Sequence, residues 1–395
     1  MEKIIFFIGG VPQSKARSDD GVVDRLNHRY TIATLVIFSI VVSTKQFVGD
    51  RISCWIPAHF TGTWAAYAHS YCWTKNTYYL PFEEVIPQDE DYDNKQMITY
   101  YQWVPLILLF QALMFYLPCM VWRTFNNRSG VDLNNMVESG KTFQLLDKSE
   151  NREKTLEYMT RQMNRYLASK REYGTEWTVS LKNCISRICC AVCGRRQGNY
   201  LVTLYLTVKV FYIINVITQL FALNRFLGTD FNFYGIDVLN DAIEGRDWTL
   251  SARFPRVTMC DFNVRRLGNI QRYTLQCVLP INLFNEKIYL FIWFWFVLVA
   301  IISCVSFLIW TLRIAMQSDR TRYIKKHLLL FKKVELPSDE DRVNKFVRDY
   351  LRQDGVFVLR LVGHNTNEIT ATEFVCALWD YYTEKIEKKD VMEPL

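Results

Sequence analysis

The residues able to do chemistry are few, and their placement favours cross-linking over catalysis. The chain has 11 cysteines but only 5 histidines, His28, His59, His69, His327 and His364. No two histidines share a metal-binding spacing, and no HExxH, Walker loop, GxGxxG or GxSxG occurs. The pair Glu83 and Glu84 opens an acidic stretch with Asp89, Glu90, Asp91 and Asp93. It reads as a solvated rim that could bias passing cations. No enzyme, metal site or cofactor is expected. Four cysteines form two matched pairs, Cys54 with Cys72 and Cys260 with Cys277, at similar spacing. An even, matched count suggests two disulfides in an oxidising compartment, and it leaves three possible pairings open.

The other cysteines divide by context. Cys184, Cys189, Cys190 and Cys193 form a cluster, but zinc prefers two well-separated ligand pairs, which the adjacent Cys189 and Cys190 do not offer. They read as reduced thiols beside a membrane, of the kind that accepts palmitoyl chains. Cys119 and Cys304 lie inside apolar runs and read as packing residues, and Cys376 as a reduced core thiol.

The elements that must position these residues are set by where the apolar residues gather. Half of the 395 residues are hydrophobic and 15% are aromatic, and the charge is concentrated between a few long apolar runs. A soluble fold would spread the apolar residues at helix or strand period. The runs are 30–47, 104–122, 200–223 and 288–312. A helix needs about 20 apolar residues to cross the bilayer core, and at about 1.5 Å per residue the fourth run reaches roughly 37 Å. The first run follows a charged stretch and lacks a small-residue cleavage site, so it reads as a retained span. Apart from Lys45 at the end of the first run, Lys209, in the third, is the one charge inside a span. Such a charge is a functional candidate, though packing against a neighbouring helix or snorkelling is the more ordinary fate.

Four spans leave both termini on one side. Lys and Arg crowd the span ends beside the termini and the middle loop, as Arg25, Arg29, Arg123, Arg128, Arg195, Arg196, Arg313, Arg320, Arg322, Lys325 and Lys326. They are sparse beside the other two loops, as Lys45, Arg51, Lys95, Arg225 and Lys287. The positive-inside rule then makes 1–29, 123–199 and 313–395 cytoplasmic, and 48–103 and 224–287 extracellular. The net charge of +7 mostly reflects this bias, and no nucleic-acid partner is expected. The expected fold is an all-α membrane protein. It comprises a four-transmembrane-helix bundle, disulfide-linked extracellular loops of small α+β character, and a helical cytoplasmic domain.

Both outer loops are too long to be simple connectors. In the first, Phe60, Trp64, Tyr67 and Tyr71 recur at helical spacing and predict one helix face, for packing or for binding. In the second, alternation around 254–257 and 273–277 predicts short strands. In the middle loop Leu156, Met159, Met163 and Tyr166 mark a helix. In the tail, Ser338 before Asp341 resembles a capping box ahead of a face formed by Val343, Phe346, Val347, Tyr350 and Leu351. A second tail helix is expected over 373–386, carrying Phe374, Leu378 and Tyr381.

Tyr100-Tyr101-Gln102-Trp103-Val104-Pro105, at the mouth of the second span, resembles the YYQWVP motif of innexins, the invertebrate gap-junction proteins. Two cysteines per outer loop is also the innexin pattern. So are Asp24-Arg25-Leu26-Asn27, Phe254-Pro255-Arg256-Val257 with Cys260, Asn285 to Tyr289, and Asp354-Gly355-Val356-Phe357. The resemblance covers roughly residues 20 to 365. It implies a gap-junction ion channel at cell junctions of the plasma membrane. Six or more copies would form a cyclic homo-oligomer, and this hemichannel would dock with one on an adjacent cell to pass ions and small molecules. Other innexin subunits and the lipid bilayer are the further partners implied. The resemblance pairs Cys54 with Cys277 and Cys72 with Cys260. It also assigns the N-terminal segment, with Glu2, Lys3, Phe6 and Phe7, to the pore and its gating, although an apolar segment of this kind also suits a membrane-surface anchor. Pro105 and Pro118 would kink the second span or free carbonyls for neighbours.

Two rivals remain. A four-span adhesion or scaffold protein would carry less mass in its middle loop and tail. A hemichannel that never docks would be expected to carry an outer glycan, yet the one sequon, Asn127-Arg128-Ser129, falls on the cytoplasmic side.

Overall fold

The computed structural model describes residues 17, 19–49, 51–81, 83, 96–127, 129–145, 149–169, 198–227, 234–245, 253–335 and 338–392. Helix α1 spans Val22–Val48 and contains a π turn over Leu26–Tyr30. Strand β1 (Ser53–Cys54), helix α2 (Gly62–Lys75) and strands β2 (Thr77–Tyr79) and β3 (Gln96–Ile98) follow. Next come α3 (Val104–Asn127), α4 (Leu133–Leu145), α5 (Ser149–Ser169), α6 (Tyr200–Leu227) and α7 (Tyr234–Ile243). Strands β4 (Val257–Arg266) and β5 (Asn269–Val278) precede α8 (Pro280–Ala315). The chain closes with α9 (Gln317–Leu330), α10 (Glu340–Lys345) and its π-turn extension Phe346–Leu351, α11 (Arg352–Asn365) and α12 (Glu368–Met392).

Among the described residues, helices α1, α3, α6 and α8 are the four long and apolar enough to cross a membrane. Helix α8 has 36 residues and outruns its apolar stretch because its first turns bury Asn282, Asn285 and Glu286 within the protein. Its exposed residues Phe291, Phe294, Leu298, Ile301, Val305, Leu308 and Leu312 recur at intervals of three and four. That stripe suits lipid, while Tyr289, Ile292, Phe296 and Val299 on the other side are buried.

The chain forms two compact units. One comprises Leu26–Leu117 and Tyr212–Ile302. It holds a five-stranded sheet of order β1-β5-β4-β2-β3, paired antiparallel throughout. Strands β4 and β5 form a hairpin from Val257 opposite Val278 to Arg266 opposite Asn269. Its two-residue turn, Leu267-Gly268, has φ of 50° and 88°, the left-handed pair that a tight hairpin turn requires. Thr258, Cys260 and Phe262 on β4 and Leu275 and Cys277 on β5 point inward, at the strand period of two. Helix α2 covers that face. Phe60 lies edge-on to Tyr273, and Tyr67 and Tyr71 meet Phe262. The aromatic stripe of the first loop is thus a packing face against the second loop, with the Tyr67 ring still exposed. The strands around 254–257 and 273–277 are longer than the sequence suggests, because the hairpin extends through polar residues to an exposed tip.

The other unit comprises Met1–Arg25, Pro118–Phe211 and Ser303–Leu395, and its described part is helical. Met159, Met163 and Tyr166 of α5 are buried, and so is the whole face from Val343 to Leu351. Ser338 is not the helix cap. Asp339 occupies that position, no side chain caps the helix, and Ser338 Oγ donates to the carbonyl of Glu335 at 2.9 Å. Phe374 and Leu378 of α12 are buried, but Tyr381 is exposed. Trp379 and Tyr382 take its expected place, each ring 5.1 Å from that of Phe346. Helix α11 left no period in the sequence because Asp354 to Val362 is buried on every side.

Candidate functional site

Three constellations stand out, the first being the cross-linked sheet. Cys54 is bonded to Cys277 and Cys72 to Cys260. The first bond joins directly opposed residues of β1 and β5, and the second ties α2 to β4. The sulfurs of Cys54, Cys72 and Cys277 lie within 4.8 Å of one another. All three are disulfide-bonded and so are no ligand set for a metal. The two inter-helix loops therefore fold as one body, and each disulfide closes a loop of about two hundred residues.

The second is the YYQWVP segment. Tyr100–Gln102 make one 3₁₀ turn, and α3 starts at Val104. The Tyr100 hydroxyl donates to the Arg253 carbonyl at 2.9 Å. The Tyr101 hydroxyl (3.2 Å) and Gln102 Nε2 (2.5 Å) both donate to the Trp73 carbonyl at the end of α2. Gln46 Nε2 of α1 donates to the Tyr101 carbonyl at 2.7 Å, and Ser39 Oγ to that of Pro105 at 3.0 Å. Burial raises both phenols, Tyr101 to about 12, so they stay protonated donors. The motif is thus a joint between two apolar helices and the cross-linked sheet. Trp103 alone of the six turns outward, 58% exposed, while Val104 is fully buried.

The third is built around Lys209. Its ammonium donates to Asp24 Oδ1 at 2.9 Å and to Ser306 Oγ at 3.0 Å, and it sits over the Tyr205 ring. Asp24 Oδ2 accepts the Tyr205 hydroxyl at 2.7 Å and the Gly21 N–H at 3.1 Å. Side chains of Lys209 and Asp24 are 4% and 5% exposed. An ion pair this deep survives only when its remaining donors and acceptors are also met, and here they are. A side chain at position 21 would press within 2.9 Å of both Asp24 and the Tyr205 hydroxyl, which accounts for glycine there. Lys209 points into the protein and not toward lipid. Its partner Asp24 was legible in the sequence only as part of the Asp24-Arg25-Leu26-Asn27 motif.

One functional residue was legible only as a motif letter. Asp354 is fully buried and accepts the Tyr166 hydroxyl at 2.9 Å. Its other oxygen accepts the Val202 N–H at 3.2 Å. Val202 is the third residue of α6, where N–H groups lack partners within the helix and an anion meets the positive end of the helix dipole. Asp354 therefore holds the start of a candidate span from a distant part of the chain.

Glu2, Lys3, Phe6 and Phe7 lie outside the described residues, as do Cys184, Cys189, Cys190, Cys193 and the acidic run from Glu84 to Asp93. Cys119 and Cys376 are buried thiols, and burial pushes the Cys376 thiol up to about 11, which keeps it unreactive.

Four apolar helices, two loops joined by disulfides and an anchored YYQWVP turn form a combination that can be compared with known proteins. The family model described as Innexin matches residues 20–382. The chain belongs to the innexin family. It is 39% identical over 386 residues to Innexin unc-9 of Caenorhabditis elegans, covering 98% of each chain. It is 37% identical to Innexin-11 of the same organism, covering 99% of this chain and 85% of the other, and 36% identical to Innexin-19, covering 93% and 85%. Innexins form gap-junction channels and are not enzymes. The chain, with its four apolar helices, is a multi-pass membrane protein of that family.

Proposed function

We propose that this chain is a gap-junction channel subunit of the plasma membrane. Several copies, six or more, form a ring around a wide pore. The disulfide-linked loops face outward, and the termini and the middle loop face the cytoplasm. Two such rings on adjacent cells dock through the outer sheet, and ions and small molecules pass between cytoplasms. The N-terminal segment with Glu2, Lys3, Phe6 and Phe7 lines or gates the pore.

The observation that carries this reading is the shape of the cross-linked sheet. Tyr100, Tyr101 and Gln102, just before α3, hold its base through the carbonyls of Arg253, ahead of β4, and Trp73, at the end of α2. Its β4–β5 hairpin ends in an exposed tip, where Leu267 is 99% and Ile270 63% accessible. Large apolar side chains at the end of a covalently stiffened hairpin suit a contact with a second protein surface. The distribution of Lys and Arg beside the candidate spans supports the orientation.

Dye transfer between paired cells that express only this chain tests the proposal. Transfer is expected, and Leu267→Asp should abolish it while dye uptake by single cells persists. Uptake without transfer in the unaltered chain would point to a hemichannel that does not dock. Neither uptake nor transfer from a folded protein at the cell surface would remove the channel reading.

A further inference from the structure

A polar cleft of 670 Å³ lies between α9 and α10. Helix α9 starts at Gln317, two residues after α8 ends at Ala315. The uncharged run of α8 stops at Leu312. Ser318, the first hydroxyl on the α9 wall, is six residues beyond Leu312, at most about 22 Å of extended chain from the apolar boundary.

Arg322 and Lys325 line this cleft from α9, and Lys345 and Arg348 line it from α10 and its extension. Two carboxylates, Glu340 and Asp341, share the lining, so positive charge is in excess. Lys325 is paired with Glu340 at 2.8 Å, and Arg348 with Asp349 at 3.1 Å. Glu340 is 54% and Arg348 65% exposed, and such surface pairs are weak enough to be exchanged for a stronger anion. Among the described residues Arg322 and Lys345 carry no ion pair. Planar guanidinium groups take phosphate oxygens in a two-pronged fashion, and lysines add point charge. The Ser318 and Thr321 hydroxyls and the amides of Gln317 and Asn344 complete a wall suited to a ring of hydroxyls. Among the described residues the lining has no aromatic side chain on which a nucleotide base could stack. Its volume falls within the range of about 300–1,000 Å³ that holds small-molecule ligands.

We infer that this cleft binds a multiply phosphorylated inositol ring, presented by a phosphoinositide of the adjoining leaflet. The inference rests on the proposed orientation, which puts the cleft at the cytoplasmic face where such anionic lipids lie. A soluble inositol phosphate shares the chemistry, and the test separates the two sources.

The full-length protein in detergent is titrated with short-chain phosphatidylinositol bisphosphate, inositol trisphosphate or short-chain phosphatidylserine, with binding read by thermophoresis. The bisphosphate lipid should bind at least tenfold more tightly than phosphatidylserine. Arg322→Gln with Arg348→Gln should weaken it by tenfold or more. Arg342→Gln, an exposed change in α10 outside the cleft lining, should leave it unchanged. Inositol trisphosphate binding as tightly as the lipid, and lost in the same double variant, would keep the site but assign it to a soluble ligand. Binding that does not distinguish the two lipids, or that survives the double variant, would overturn the inference. Both arginines are exposed, so the variants are expected to fold. The readout is binding and not conduction, so its failure would leave the channel proposal standing.

Discussion

Lys209 Nζ lies 2.9 Å from Asp24 Oδ1, and 185 residues of chain separate the two. The pair joins the first turns of α1 to the middle of α6, and Ser306 ties it to α8. Removing one partner leaves the other charged and buried, at a cost of about 3–5 kcal/mol. Lys209→Met and Asp24→Leu should each sharply lower the yield of folded protein by fluorescence-detected size exclusion. The double variant should recover part of the loss. Equal yields for both single variants and the unaltered chain would show that the pair contributes nothing.

The disulfides should be individually necessary. Cys54→Ser or Cys72→Ser should cost the outer sheet about 2–5 kcal/mol and end dye coupling. Non-reducing peptide mapping should recover Cys54 with Cys277 and Cys72 with Cys260, and a Cys54–Cys72 peptide would contradict the structure.

Asp354→Asn keeps the shape at the start of α6 but removes the charge. An anion at a helix N-terminus contributes about 0.3–1 kcal/mol, up to about 2 when partly buried. A fall in thermal stability of that size is expected. Asp354→Ala also strands the Tyr166 hydroxyl and should be worse by about 1–3 kcal/mol. Thermal melts of the two purified variants, compared with the unaltered chain, would test this order.

Acid should weaken the helical unit. Burial holds His327 and His364 below the usual histidine range, with neighbouring Lys326, Arg313 and Arg360 adding to it. Well above about pH 6.5 both are neutral whether folded or unfolded, and they contribute no pH dependence. As pH falls below about 6.5, the unfolded chain takes up these protons first, so stability declines until the folded-state values are passed. Melts at pH 7.5 and 5.5 should show this decline, and His327→Gln, which can keep a bond to Thr372 Oγ (2.7 Å from His327 Nδ1), should reduce it.

Much of the fold was legible because membrane spans announce themselves by composition. Length and lack of charge mark α3 and α8 without any periodicity, and the cysteines mark the loops that must cross-link. Helix α7 and strands β2 and β3 were not anticipated. Thr77–Tyr79 and Gln96–Ile98 are three residues each, too short for alternation to register, and they become strands only because β4 offers an edge. The site divides in the same way. Lys209 is conspicuous as a lone charge in an apolar run, but Asp24 sits among ordinary charged residues, and no sequence distance predicts their meeting. Asp354 is hidden for the opposite reason, being buried in a helix whose every face is covered.

The strand order β1-β5-β4-β2-β3 also has a temporal side. The outer strands come from the first loop and the central hairpin from the second, so the sheet has no middle until residues 257–278 have been made. Cys72 waits for a partner 188 residues further along. At about 5–20 residues per second of synthesis, that wait is roughly ten to forty seconds. Throughout it, on the proposed orientation, Cys54 and Cys72 are the only thiols on the outer side, 18 positions apart and free to oxidise with each other. On that orientation, biogenesis of this protein passes through a window in which the wrong bond is the only one that these two thiols can make on their own side of the membrane. In an oxidising lumen, its yield should depend on a disulfide isomerase to undo that bond.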